Sequence, residues 1–270
     1  MKRQTGTQTV GFAIGLTLLM MVVLWSSRQL LGAVVPRNEW MMGAEAIVLL
    51  TLWLVNHYGL HEPLPLRPKA NGQLWRAGWL GIIVIVSYIP MIPLMAITQH
   101  YAVSTVVETV LMCVMVGIYE EILFRGVILG MLLRTFTGKR RIMAAVLTSS
   151  ALFGLSHAGH FFDHVGQSTT STWLQIGYAF CLGVYFCAVT LRTGSLLWTM
   201  IIHAAFDMPA MLVEFSGHMS LRGSAAGGSF WTQLADAATE FVPVLLLGLW
   251  LIRRRQQAAI DEATPMWQSN

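Results

Sequence analysis

Charge is what this sequence has least of. Its 270 residues include 17 Lys and Arg and 13 Asp and Glu, 11% of the chain, where a soluble domain carries about 25%. So few charges cannot cover a water-facing surface, and 55% of the residues are hydrophobic. A soluble globular enzyme is excluded. The mean hydropathy of +0.61 excludes a disordered chain for the same reason. Cysteine is also scarce: Cys113, Cys181 and Cys187 lie inside apolar runs with no CxxC pair, leaving neither a zinc framework nor a disulfide scaffold. The chain lacks a Gly-x-Ser-x-Gly elbow and an HExxH pair, so neither a hydrolase-type serine turn nor a zincin-type helix is present. It also lacks internal repeats and any linker long enough to separate domains, so 1–270 reads as a single integral-membrane domain.

What is abundant is long apolar sequence. A helix needs about 20 largely apolar residues to cross the hydrocarbon core, and eight candidate spans are found. These are 8–26, 40–58, 77–97, a stretch ending near 136, 142–158, 173–191, 195–215 and 231–252. The fold class is therefore all-α, a polytopic membrane helical bundle of about eight transmembrane helices. No small-x-small cleavage site follows the first run, which reads as an uncleaved helix. Residues 98–136 are too many for one upright helix, so 98–111 is expected as an outer interfacial or extended helical segment and roughly 112–134 as the crossing.

The net charge of +4 and pI near 9.2 are topology signals here, and no nucleic-acid partner is expected. With an even number of spans and the N-terminus inside, Lys2, Arg3, Arg67, Lys69, Arg76, Arg134, Lys139, Arg140, Arg141, Arg192 and Arg253 to Arg255 all fall inside. Only Arg28, Arg37 and Arg222 fall outside. This asymmetry predicts an N-in, C-in bundle, with Arg253 to Arg255 as its stop-transfer anchor. Trp40, Trp75, Trp79, Trp173 and Trp231 stand at span ends, where interfacial anchors belong. Dense spans and short loops fit a bacterial inner membrane.

Ionisable side chains inside a bilayer cost about 2.5–3.5 kcal/mol each on insertion scales, so they mark function. Glu120, Glu121 and Arg125 form one group, His157 beside Ser156 a second, and His203 with Asp207 a third. Glu121 and Arg125 are i, i+4 and pair with each other, while Glu120 points about 100° away around the helix. His203 and Asp207 are also i, i+4. At about 1.5 Å per residue, Glu120 stands about 21 Å above Arg134, His157 about 24 Å above Arg141, and His203 about 17 Å above Arg192. Three helices thus bring polar groups to one depth. Ser156 and His157, adjacent on a helix, point apart and make a poor nucleophile–base dyad. The chemistry that remains is a carboxylate with imidazoles, a base for water and donors for an oxyanion. His160, Asp163 and His164 read as a solvated outer loop; Glu45, Glu108, Glu214, Asp236 and Glu240 read as lying toward outer helix ends.

Glu120-Glu121-x-x-x-Arg125, Phe153-x-x-x-His157 and His203-x-x-x-Asp207 resemble the three ordered motifs of the CAAX-protease and bacteriocin-processing family (CPBP, Abi), the intramembrane glutamic endopeptidases. Arg192-Thr193-Gly194-Ser195-Leu196 is similar to the same family, and the likeness covers 115–212 as a peptidase-motif core. The resemblance implies an eight-span endopeptidase acting on a membrane-associated, lipidated or exported protein or peptide, with neither metal nor cofactor. It implies that Glu120 and His157 activate water, that His203 and Asp207 stabilise the oxyanion, and that Glu121 and Arg125 support them. The last position is most often Asn in that family and is Asp207 here. Competing readings are a non-catalytic immunity or scaffold protein using the same cavity, and a zinc-dependent hydrolase or transporter using His157, His203, Asp207 and Glu120.

Overall fold

Helix is the regular structure found throughout the described residues, 5–35, 37–67, 73–162, 168–216 and 229–268 of the computed structural model. The polar residues between apolar runs act as caps. Thr5 caps α1 (Gly6–Gly32) in a reciprocal box with Gln8, Ser168 caps α8 (Thr169–Thr193), and Gly194 ends α8 in the left-handed conformation, φ 65°. Such capping satisfies orphaned backbone groups that a membrane interior could not hydrate. In order between and after these come α2 (Arg37–Val55, extended by a π-turn over Asn56–Leu60), α3 (Leu74–Ala77), α4 (Trp79–Thr98) and α5 (Val103–Glu120). A π-helical segment, Glu121–Ile128, leads into α6 (Leu129–Thr135). Then follow α7 (Arg141–Ser156, ending in a 3₁₀ turn His157–Phe161), α9 (Leu197–Phe215), α10 (Phe230–Leu251) and α11 (Gln257–Ala263).

Among the described residues, six helices are long and apolar enough to cross a membrane: Gly6–Gly32, Trp40–Leu60, Trp79–Thr98, Arg141–Phe161, Thr169–Thr193 and Phe230–Leu251. The protein is therefore a multi-pass integral membrane protein. The two other expected spans are also helical, but they hold the ionisable residues and pack among the six. Of the two forms expected for 98–111, the extended helical one is found from Val103 onward. Helix runs without interruption from Val103 to Thr135, about 50 Å at 1.5 Å per residue, which exceeds an upright crossing of a core about 30 Å thick.

Close helix contacts rest on small residues. A Cβ at Gly154 would come within 2.7 Å of the Ile176 carbonyl oxygen, and one at Gly183 within 3.0 Å of Ser150, so α7 and α8 meet backbone to backbone. One at Gly117 would lie 3.0 Å from the Met200 carbonyl oxygen, which brings α5 equally close to α9. Helix α8 is central, and Leu182 to Thr193 are all buried.

The basic helix ends gather at one end of the bundle. There a strap over 61–67 is tied down: Leu196 N–H donates to Pro65 O at 2.8 Å, Ser195 Oγ to Leu66 O at 3.0 Å, and Glu62 pairs with Arg134. The chain also returns to this end after Arg253 to Arg255. Instead of closing the chain as a bare anchor, these residues lead into α11, Asp261 pairs with Arg141, and Trp267 is buried against Gly130. Gly6 lies by Phe136, so both ends of the described chain sit together.

Candidate active site

Residues from six helices enclose a cavity of about 500 Å³. Glu120 and Tyr119 reach it from α5, Phe153, His157 and His160 from α7 and its 3₁₀ turn, and Phe186 from α8. His203 and Asp207 come from α9, Leu18 to Arg28 from α1, and Glu45 from α2. The wall on α1 is apolar apart from Arg28, and its Leu18, Val22 and Trp25 are exposed.

His203 is the centre of the polar cluster. Its Nδ1 is 2.9 Å from Glu121 Oε1; its Nε2 is 3.4 Å from Glu120 Oε2 and 3.5 Å from Asp207 Oδ2. A carboxylate only accepts, so Nδ1 carries hydrogen and donates to Glu121, and the Nε2 edge faces the cavity carboxyl groups. His157 is oriented differently. Its Nδ1 lies 3.0 Å from the Phe153 carbonyl oxygen, which also only accepts, so the neutral ring keeps its lone pair on Nε2. Ser156 Oγ donates to that same carbonyl at 2.7 Å. It is therefore turned toward the backbone of its own helix.

Arg125 and Glu121 are both fully buried, with Arg125 Nη1 3.0 Å from Glu121 Oε1. The guanidinium is held mainly by rings: its carbon is 4.0 Å from the Phe153 centroid and 5.3 Å from that of Phe186. Such cation–π contacts gain strength when desolvated. Phe153 also sets its ring edge against His157, centroids 5.2 Å apart, and His203, 5.9 Å apart. Ser149 Oγ donates to Phe124 O at 2.7 Å and ties the π segment to α7. π segments are frequent at functional sites because they re-aim side chains within a continuous helix.

Glu120, Glu121, Arg125, His203 and Asp207 thus form one contact network, and His157 faces the same cavity from α7. Sequence reasoning assigned Glu121 to Arg125 alone and missed its bond to His203. It also left Phe186 unremarked. His160 lines the cavity 6.2 Å from the His157 ring; Asp163 and His164 lie outside the described residues. Glu45, expected near the outer face, is buried in the cavity wall and paired with Arg28 at 3.0 Å. The i, i+3 and i+4 rows of two different helices meet there, which no local spacing reveals. Among the described residues, no three His, Cys, Asp or Glu side chains come together as a metal-binding group.

Neither a curated protein nor a solved structure matches the chain. Residues 102–209 match the family model described as type II CAAX prenyl endopeptidase, Rce1-like. That range contains all three motifs and each residue of the polar network just described. Through this segment, the chain is similar to the Rce1-like CAAX prenyl endopeptidases.

Proposed function

We propose that the protein is a glutamate-dependent intramembrane endopeptidase, with Glu120 and His157 activating water and His203 and Asp207 serving the oxyanion. The observation carrying this reading is the position of His203, with Glu121 on one ring nitrogen and Glu120 and Asp207 on the other, in a cavity shared with His157. Glu120 is a cavity carboxylate, and the lone pair on His157 Nε2 gives a second acceptor for the protons of a water placed between them. A scissile carbonyl bound beside His203 would receive the Nε2–H as its oxygen becomes negative. That hydrogen exists only when the ring holds two, because Nδ1 already donates to Glu121. Glu121 is thus a positioning residue for His203, and Arg125 balances its charge from behind. The leaving amine regains a proton from Glu120 or His157.

The substrate class that fits is a membrane-associated, lipidated or exported protein or peptide, since the cavity opens beside exposed apolar residues of α1. We place the basic end of the bundle in the cytoplasm of a bacterium, making the chain N-in, C-in. The test is incubation of membrane peptides with wild-type protein and with Glu120→Ala, reading new termini by mass spectrometry. New termini are expected with the wild type alone, and the loss in Glu120→Ala should be at least about 10²-fold, the worth of one acid–base group. Equal cleavage by both proteins would sink the assignment.

A further inference from the structure

Arg192, in the run Arg192-Thr193-Gly194-Ser195-Leu196, takes no part in the chemistry above. It closes α8 and is buried, 7% exposed. A buried guanidinium normally meets a carboxylate. Instead, Nη2 donates to Gln73 Oε1 at 2.8 Å and Nη1 to Gln256 Oε1, both neutral amide oxygens. Its Nε is buried without a hydrogen-bond partner among the described residues. The other charges acting on it have the same sign: Arg76, three residues beyond Gln73, and Arg253, three before Gln256. Of the carboxylates described at this end, Glu62 pairs with Arg134 and Asp261 with Arg141, and Glu262 is exposed with no ion pair to this group. Arg253 is held in place, its Nη1 donating to Trp250 O at 3.2 Å and its guanidinium 3.9 Å from that ring. Arg76 is exposed.

The guanidiniums of Arg76 on α3 and Arg253 in the turn after α10 therefore both act unfavourably on that of Arg192 on α8, and no ion pair to an acid balances the group among the described residues. Such a group is stable when an anion joins it. We propose that Arg76, Arg192 and Arg253 form a binding site for a phosphate-type oxyanion at the basic end of the bundle. Guanidinium forks match phosphate oxygens in pairs, and basic pockets between helices at a membrane face take lipid headgroups. The same chemistry is offered by an anionic phospholipid headgroup and by soluble phosphate.

The experiment uses the full-length protein in neutral detergent and needs no peptidase assay, so it stands or falls apart from the proposed function. Thermal unfolding and native mass spectrometry are run with phosphatidylglycerol, phosphatidylcholine, inorganic phosphate and chloride. Phosphatidylglycerol or inorganic phosphate should raise Tm, whereas phosphatidylcholine and chloride should not. A response to phosphatidylglycerol alone assigns the lipid as the source, and a response to inorganic phosphate assigns the free ion. Arg192→Gln alone is a poor test because the buried residue also holds α8 to its neighbours. The exposed-side variants Arg76→Gln and Arg253→Gln should each weaken the responding ligand about fivefold, the effect of one basic side chain near an anionic surface. Lys139→Gln/Arg140→Gln, at the same end but outside the cluster, should leave it unchanged. Absence of any anion response, an unchanged response in Arg76→Gln and Arg253→Gln, or an equal loss in the Lys139/Arg140 variant would overturn the site.

Discussion

Asp207 carries a carboxyl group 3.5 Å from the His203 edge that faces the cavity. An ionised carboxylate would repel a developing oxyanion, while an amide at the same place would donate to it and still accept from Nε2. Asp207→Asn is therefore expected to keep or raise kcat on any peptide the wild type cleaves, and a loss of kcat with an unchanged melting curve would assign Asp207 to orienting His203 instead. Glu121 differs, because its carboxylate serves two buried partners. Glu121→Ala would strand the Arg125 charge and free the His203 Nδ1, and breaking a buried ion pair costs about 3–5 kcal/mol. Lower Tm and lost cleavage should appear together in that variant. Arg125 has a further anchor in Phe153, so Phe153→Leu should lower Tm and also disturb His157, whose ring leans on the same side chain.

At the scale of elements, the site depends on how closely α7 meets α8 and α5 meets α9. Gly154 stands three residues before His157 and directly on the Ile176 carbonyl. Gly154→Ala forces those helices apart, at the roughly 1–3 kcal/mol that overpacking costs, and moves the His157 backbone with them. Cleavage should fall more than stability does, measured as kcat beside Tm in the same preparation. The reverse order, a large loss of Tm with normal kcat, would show that His157 is positioned from elsewhere. A crossing helix over roughly 112–134 is legible in the sequence, but its π segment is not. No residue type announces an i→i+5 ladder, and it arises here where the buried Glu121, Arg125 and Gly126 must meet α9, Phe153 and Leu64 together.

Across the whole molecule, the basic end acts as a clasp joining the strap, α6, α8 and the returning tail. Glu62 sits within it, just beyond the α2 span, and burial pushes its carboxyl up to about 7 despite the opposing charge of Arg134. The folded protein thus holds this proton more tightly than the unfolded chain, whose carboxyl titrates at 4.5. Its contribution is full below pH 4.5 and is lost as pH rises through about 7. Glu62→Gln should flatten that part of the Tm–pH curve, and an unaltered curve would refute the role. Orientation is tested at the same scale. With the basic end in the cytoplasm, a membrane-impermeant thiol reagent added outside should label cysteines placed at 158–162 and leave those at 137–140 unlabelled.

Composition determined the solvent, and the length of the apolar runs the secondary structure. A chain with 11% charged residues must hide in lipid, and lipid admits helices because each satisfies its own backbone. The three motif spacings were equally local, readable by counting along single helices. Tertiary packing decided the rest. Glu121 meets His203, 82 residues away, only because Gly117 lets α5 rest on α9. Arg28 and Glu45 turn into the cavity only because α1 and α2 pack with those faces inward. Phe186 closes over Arg125 from α8, and the tail past Arg255 folds under the bundle to bury Trp267. Each of these depends on the rotation and distance of one helix against another, which periodicity within a single helix does not encode.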